Sequence, residues 1–187
     1  MMNIIDGWLE DVRRVPSPFC NERPTGDSGE VSLLVIHNIS LPPNVFGGDD
    51  VLDLFLGQLD PSKHPSYESI KHLQVSAHLF IRRDGVIIQF VPFTHRAWHA
   101  GMSSFQGQSG CNDYSIGIEM EDCDSLPFTA MQYKQLKDVT LAIQKAYPKI
   151  SLGKIVGHND IAPGRKTDPG PLFQWPSFRC SLTEETQ

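Results

Sequence analysis

The chain has 187 residues, 40% of them hydrophobic and 20% charged, with a formal net charge of −6. That length and balance describe a soluble globular protein with a substantial core and exclude a disordered or fibrous chain. The acidic balance argues against a nucleic-acid binder, which would present a basic face.

In chain order, Met1 to Trp8 lacks a basic stretch followed by an apolar one, so no signal peptide is expected. Trp8 to Arg14 reads as a short helical turn stopped by Pro16 and Pro18, and residues 16–30 read as loop. Val31 to Ile36 is almost continuously aliphatic, the pattern of a strand covered on both faces in the middle of a sheet. It runs directly into His37 and Asn38. Val51, Leu52, Phe55, Leu56 and Leu59 fall on one helical face, with Asp50 as a candidate cap. Segments 75–81 and 86–91 flank Asp84-Gly85, a hairpin signal because that tight turn favours positive φ.

His95 to Cys111 is rich in Gly and Ser and reads as a loop near a site, one that could close over a cleft. Tyr114 to Met120 alternates, placing Ile116, Ile118 and Met120 on one face and Ser115, Gly117 and Glu119 on the other. Thr129 and Gln132 form a capping box for a helix reaching about Tyr147. Residues 154–157 read as a short final strand or an extended lead-in to the loop that follows, and Trp175 to Leu182 as a terminal helix. Between them, Gly157 to Pro171 sets one histidine, two aspartates, a lysine and an arginine among glycines and prolines, and reads as a stiff, shaped loop. The order gives a single α/β domain over residues 1–187, with a mixed central sheet flanked by helices.

No apolar run approaches the roughly 20 residues that a membrane helix needs. Cys20, Cys111, Cys123 and Cys180 are scattered without a C-x-x-C pair, so neither a zinc ribbon nor a disulfide framework is expected. Free thiols fit a reducing compartment. A cytoplasmic protein with no membrane segment and no obligate protein partner is the expectation.

Ligand sites in open α/β sheets lie at strand ends. His37 ends one predicted strand and His158 follows another. Two neutral imidazoles and a carboxylate are the ligand class of catalytic zinc sites, and His37, His158 and Asp168 could supply it. Spacing matches no short metal motif and does not separate Asp168 from Asp160. Glu119, on the small and polar side of its strand, is a candidate general base; Lys166 is a candidate stabiliser of an oxyanion. The G-x-S-x-G elbow, the cysteine-nucleophile motifs and the phosphate-binding glycine loops are absent.

Five segments carry a resemblance: Val35 to Pro43, Val75 to His78, Arg96 to Gly101, Cys111 to Glu119, and the loop from Gly157 to Gly170. With them the chain resembles the type 2 amidase and peptidoglycan-recognition-protein superfamily from about Gly7 to Trp175, and within it the cytosolic amidases of peptidoglycan recycling. The resemblance implies Zn2+ held by His37, His158 and Asp168 at one end of the sheet. It implies Glu119 as general base or water-orienting group and Lys166 as oxyanion stabiliser. The implied reaction is hydrolysis of the amide between the lactyl group of 1,6-anhydro-N-acetylmuramic acid and L-alanine in soluble anhydro-muropeptides. Arg165 suits the carboxylates of the peptide stem, and Asn38, Trp98 and His99 are candidates to line the sugar or lactyl side. Asp160 then becomes loop scaffolding.

Four positions depart from the family pattern. Ser66 and Tyr67 stand in a segment that reads His-Pro-Tyr-Phe in the family, Gln74 replaces an arginine of some members, and Asp122 stands where glycine is common. Two other readings stay open on the sequence: a module that binds muropeptide without cutting it, and an amidase acting on intact cell-wall polymer.

Overall fold

The aliphatic run does form the middle of a sheet. In the computed structural model, which describes residues 2–183, the six strands of the main sheet are β1 (Arg13–Arg14), β2 (Leu33–Ile39), β3 (Leu79–Ile81), β4 (Ile87–Gln89), β5 (Ser115–Glu121) and β6 (Ile155–Gly157). Their order is β6-β2-β5-β3-β4-β1. The β6-β2, β2-β5, β5-β3 and β4-β1 pairs are parallel, while β3 and β4 are antiparallel. The sheet is therefore mixed, and the helices flank it, as the sequence order predicts.

Alternation along the two seven-residue strands, β2 and β5, assigns the layers. Leu34, Ile36, Ile116, Ile118 and Met120 pack with Leu136, Val139 and Ile143 of α2 (Ala130–Ala146) and with Phe178 and Leu182 of the C-terminal helix (Trp175–Thr183). On the opposite face Leu33 and Val35 join Ala100, Cys111, Tyr114, Val156 and Ile161. Beside them, Val51, Leu52, Leu54 and Phe55 of α1 (Asp50–Leu56) pack with Phe80, Ile88 and Phe90. Fully burying each such side chain contributes about 1.5–3 kcal/mol before conformational entropy is set against it.

Local signals behave as their physics requires. Thr129 and Gln132 make both bonds of the capping box. The predicted hairpin turns at Gly85, whose φ is +88°; a Cβ there would also fall 2.3 Å from Cγ of Met131 in α2. The last helical residue of α1 is Leu56, three residues short of the apolar stripe's end at Leu59, and Gly57 caps it in the left-handed conformation.

Several expectations are corrected. Trp8 to Arg14 is not helical: Trp8–Leu9 pairs with Ile4–Ile5, and β1 lies along β4. Buried Gln89 draws this segment in, accepting from Leu9 N–H and donating to Gly7 C=O, a tertiary pull that local propensity does not report. Asp50 does not cap α1; its carboxylate accepts from Lys63 and from the hydroxyl of Tyr67. Tyr67 is fully buried against α1, so it serves packing here. Asp122 is buried and paired with Arg83. The stretch 95–111 is less irregular than expected: His95–Ala97 pairs with Cys20–Glu22, and Ser104–Phe105 with Gln108–Ser109 across a tight turn at Gln106 and Gly107.

Candidate metal centre

β2, β5 and β6 run parallel, and the proposed ligands gather at their C-terminal ends. His37 lies near the end of β2, and Glu119 is its register partner on β5. His158 follows β6 directly. It opens a single helical turn, His158–Ile161, within the segment expected to be loop throughout; Asp160 stabilises the start of that turn by accepting from Gly157 N–H at 2.8 Å. The chain then returns through Pro163 and Gly164 to bring Asp168 back beside His158, with Asn159 N–H donating to Asp168 C=O at 3.0 Å.

Among the described residues, His37, His158 and Asp168 form a group whose ligand atoms converge closely enough for a metal ion. His37 Nδ1 and His158 Nδ1 are 2.9 Å apart, and each is 3.0 Å from Asp168 Oδ2. Donors each about 2.0–2.2 Å from one tetrahedral ion stand roughly 3.3 Å apart, so this near-equilateral triangle fits a shared cation.

The charge states fit as well. Burial pushes His37 down to about 4 despite the raising influence of Asp168, so its imidazole is neutral at pH 7. Burial works against ionisation of Asp168, but His158 and His37 outweigh it and hold the carboxyl well below its ordinary range. The donor set is thus two imidazoles, His37 neutral, and an anion.

Glu119 stands beside the triangle, with Oε1 4.0 Å from His37 Nδ1. Its Oε2 is buried and has no hydrogen-bond partner. A lone buried carboxylate oxygen is costly unless something meets it. Burial and the nearby Asp168 charge push its pKa well above the ordinary value, with Lys166 opposing. Glu119, His158, Asp168 and the exposed Lys166 line one cavity of about 260 Å³, walled by Leu41, Leu54, Phe55, Ile70 and Val75. A second, polar cavity of about 460 Å³ shares Asn38, Lys166 and Asp168 with it and extends to Arg165, Asp124 and Ser125.

The four residues assigned to substrate contact sit in different settings. Asn38 lines both cavities and ties β2 to the metal loop, donating to Asp124 Oδ1 at 2.8 Å and to Pro169 C=O at 3.0 Å. Arg165 lines the polar cavity while donating to the carbonyls of Ala100 and Met102, both at 2.7 Å. Trp98 turns its indole toward Asn21, its N–H 2.7 Å from Oδ1, and stacks near Phe19. His99 has both ring nitrogens engaged: Nδ1 lies 2.9 Å from His37 Nε2, and Nε2 lies 3.0 Å from Ser115 Oγ.

Space for the His99 ring comes from Gly117, where a Cβ would fall 2.5 Å from the imidazole. Behind it, fully buried His78 accepts from Gly117 N–H at 3.0 Å. Its other nitrogen faces Arg23, which donates to four backbone carbonyls. Sequence reasoning passed over Ser115, Asn112 and Arg23 around the centre. The visible signal was the run of small residues opposite Ile116, Ile118 and Met120.

Comparison with known proteins gives the family. The family model described as N-acetylmuramoyl-L-alanine amidase matches residues 27–171. The 1,6-anhydro-N-acetylmuramyl-L-alanine amidase AmpD of Escherichia coli K12 is 54% identical over 185 residues, 99% of this chain and 100% of that protein. A crystal structure of a selenomethionine AmpD derivative superposes with a TM-score of 0.93 at 55% identity, covering 97% of this chain and 100% of that one. The amidase AmiD from E. coli, solved with the substrate anhydro-N-acetylmuramic acid-L-Ala-D-γ-Glu-L-Lys, gives a TM-score of 0.61 at 28% identity, covering 96% of this chain and 65% of that one. With its family match across most of its length and its near-complete overlap with AmpD, the chain belongs to the N-acetylmuramoyl-L-alanine amidase family.

Proposed function

We propose that this protein hydrolyses the amide between the lactyl group of 1,6-anhydro-N-acetylmuramic acid and the L-alanine of soluble anhydro-muropeptides, with zinc as its metal, during peptidoglycan recycling. The identity of its relatives supports the substrate. The observation that carries the chemistry is Glu119 Oε2, a buried oxygen without a partner beside three converging ligand atoms.

His37, His158 and Asp168 would hold the ion. A bound zinc supplies Lewis acidity toward a carbonyl oxygen and acidifies a water molecule. Glu119 takes the proton of the attacking water and delivers it to the departing L-alanine nitrogen, so that one carboxylate serves as base and then as acid. Its raised pKa, caused first by burial, suits a group that must both accept and release a proton near neutrality. Lys166 sets a positive charge on the rim where the carbonyl oxygen becomes anionic. Asp168 stays ionised throughout.

The polar cavity beside Arg165 suits the peptide stem, and Asn38 lines both cavities. Trp98 and His99 line neither, so their assignment to the sugar or lactyl side rests on the family resemblance. Free cysteines at Cys20, Cys111 and Cys123 support a cytoplasmic setting, and among the described residues no helix is long and apolar enough to cross a membrane.

The test is incubation of the pure protein with anhydro-muropeptide and zinc, followed by mass spectrometry for free stem peptide. Released peptide that disappears on chelation is expected. Tight binding without release would favour a recognition module instead. Faster turnover of intact sacculi than of anhydro-muropeptide would overturn the substrate assignment.

A further inference from the structure

Both imidazole ligands take their outer hydrogen bond from a single dipeptide. His158 Nε2 lies 3.1 Å from the carbonyl of Ala100, and His37 Nε2 lies 2.9 Å from the ring of His99. A carbonyl only accepts, so His158 carries its proton on Nε2 and turns a bare Nδ1 toward Asp168. Once His37 Nδ1 serves as a ligand, its Nε2 must donate to His99 Nδ1, and His99 Nε2–H passes to Ser115 Oγ.

His99 and Ala100 lie just beyond the short strand His95–Ala97. Their N–H groups point inward and would lack partners but for one side chain. Oδ1 of Asn112 accepts from His99 N–H at 3.0 Å and from Ala100 N–H at 2.8 Å. Asn112 is buried in the turn Cys111–Asp113 that leads into β5. From the other side Arg165 donates to the Ala100 carbonyl, which it shares with His158. The dipeptide is thus clamped at its amides by one residue and at its carbonyl by another.

We propose that Asn112 is a positioning residue for the metal centre, holding His99 and Ala100 where they orient His37 and His158. The proposal rests on the reading of His37, His158 and Asp168 as zinc ligands. Asn112 makes no hydrogen bond to any of the three, so it acts only through the dipeptide. A residue needed merely for folding would lower thermal stability and leave the affinity of the folded protein for metal unchanged.

The experiment measures zinc affinity by chelator competition and the visible spectrum of the cobalt(II)-loaded protein, for wild type, Asn112→Ala and Asn112→Asp. Loss of an outer partner of a metal-bound histidine typically weakens affinity about 10–100-fold, and Asn112→Ala is expected to fall in that range with an altered cobalt spectrum. Asn112→Asp keeps an oxygen acceptor and is expected to return most of the affinity. Folded Asn112→Ala with wild-type zinc affinity and spectrum overturns the proposal. Should that variant not fold, His99→Leu takes its place with the same expected loss, and unchanged affinity there is equally decisive. Wild-type protein that binds neither zinc nor cobalt overturns the metal reading itself, a result distinct from wild type and variant binding alike.

Discussion

His37 and Glu119 are register partners on adjacent parallel strands, and the carboxylate oxygen of one stands 4.0 Å from the ring nitrogen of the other. Partnered residues on neighbouring strands project to the same face of a sheet. The pairing of β2 with β5 therefore sets the proposed proton acceptor beside a proposed metal ligand without any contribution from loops. Its cost is a buried carboxylate with one oxygen unpartnered.

Glu119→Gln follows from that cost. The variant keeps the shape and loses the proton acceptor, so turnover is expected to drop about 10²–10⁴-fold with little change in zinc affinity. Because burial raises the folded-state pKa of Glu119, the ionised group destabilises the fold above its unfolded value of about 4.3. Metal-free Glu119→Gln should thus melt higher than metal-free wild type at pH 7, by about 2–4 °C per kcal/mol recovered. Full activity, or a lower melting temperature together with lost activity, would contradict this trade of stability for function.

Metal removal makes a second prediction. Chelation should abolish hydrolysis, and zinc should restore it to wild type but not to His158→Ala. Zinc at 100 times its dissociation constant should add about 2.7 kcal/mol to the stability of the wild type. Scanning calorimetry with and without zinc reads the shift directly, and its absence would count against the ligand triangle.

Buried His78 predicts an acid-sensitive fold. Burial, reinforced by Arg23, lowers its pKa well below the ordinary value, so below about pH 6.5 the unfolded chain takes up a proton that the folded chain refuses. Stability is fully present above that pH and is lost as pH falls toward the folded-state pKa, by up to about 1.4 kcal/mol per pH unit for this group. His37 and His99 add slope of the same sign. In urea melts of metal-free protein between pH 7 and 5, His78→Asn should flatten the dependence by close to one proton. An unchanged slope would mean that His78 is protonated in the folded state.

Gly117→Ala tests close packing. The added methyl would stand 2.5 Å from the His99 ring, and overpacking of this kind costs about 1–3 kcal/mol. Displacing His99 also loosens His37, so a lower melting temperature and weaker zinc binding should appear together. A stability loss with unaltered zinc affinity would separate His99 from the metal centre.

Much of this molecule is written in local pattern. The alternation of Ile116, Ile118 and Met120 with Ser115, Gly117 and Glu119 fixed which face of β5 meets α2, because side chains on a strand alternate with period two. The aliphatic run ahead of His37 determined that this histidine would arrive at the end of a buried strand. Thr129 with Gln132 determined where α2 begins. The mixed sheet and its flanking helices follow from such patterns.

The convergence at the candidate metal centre does not. His37 meets His158 across 121 positions of chain and Asp168 across 131, and no local spacing encodes contacts of that span. Spacing left Asp160 and Asp168 equivalent; the helical turn at His158 separates them, turning Asp160 back onto Gly157 while the returning chain brings Asp168 to the triangle. Asn112 lies in a segment that carries the family resemblance, but no local pattern gives its part, which depends on two backbone amides that only the folded loop presents to it. Residue order determined the strands and the chemistry available at their ends. Tertiary packing decided which groups face one another, because hydrogen bonds and charges act through space over about 3 Å, a proximity that only the closed sheet and its loops create.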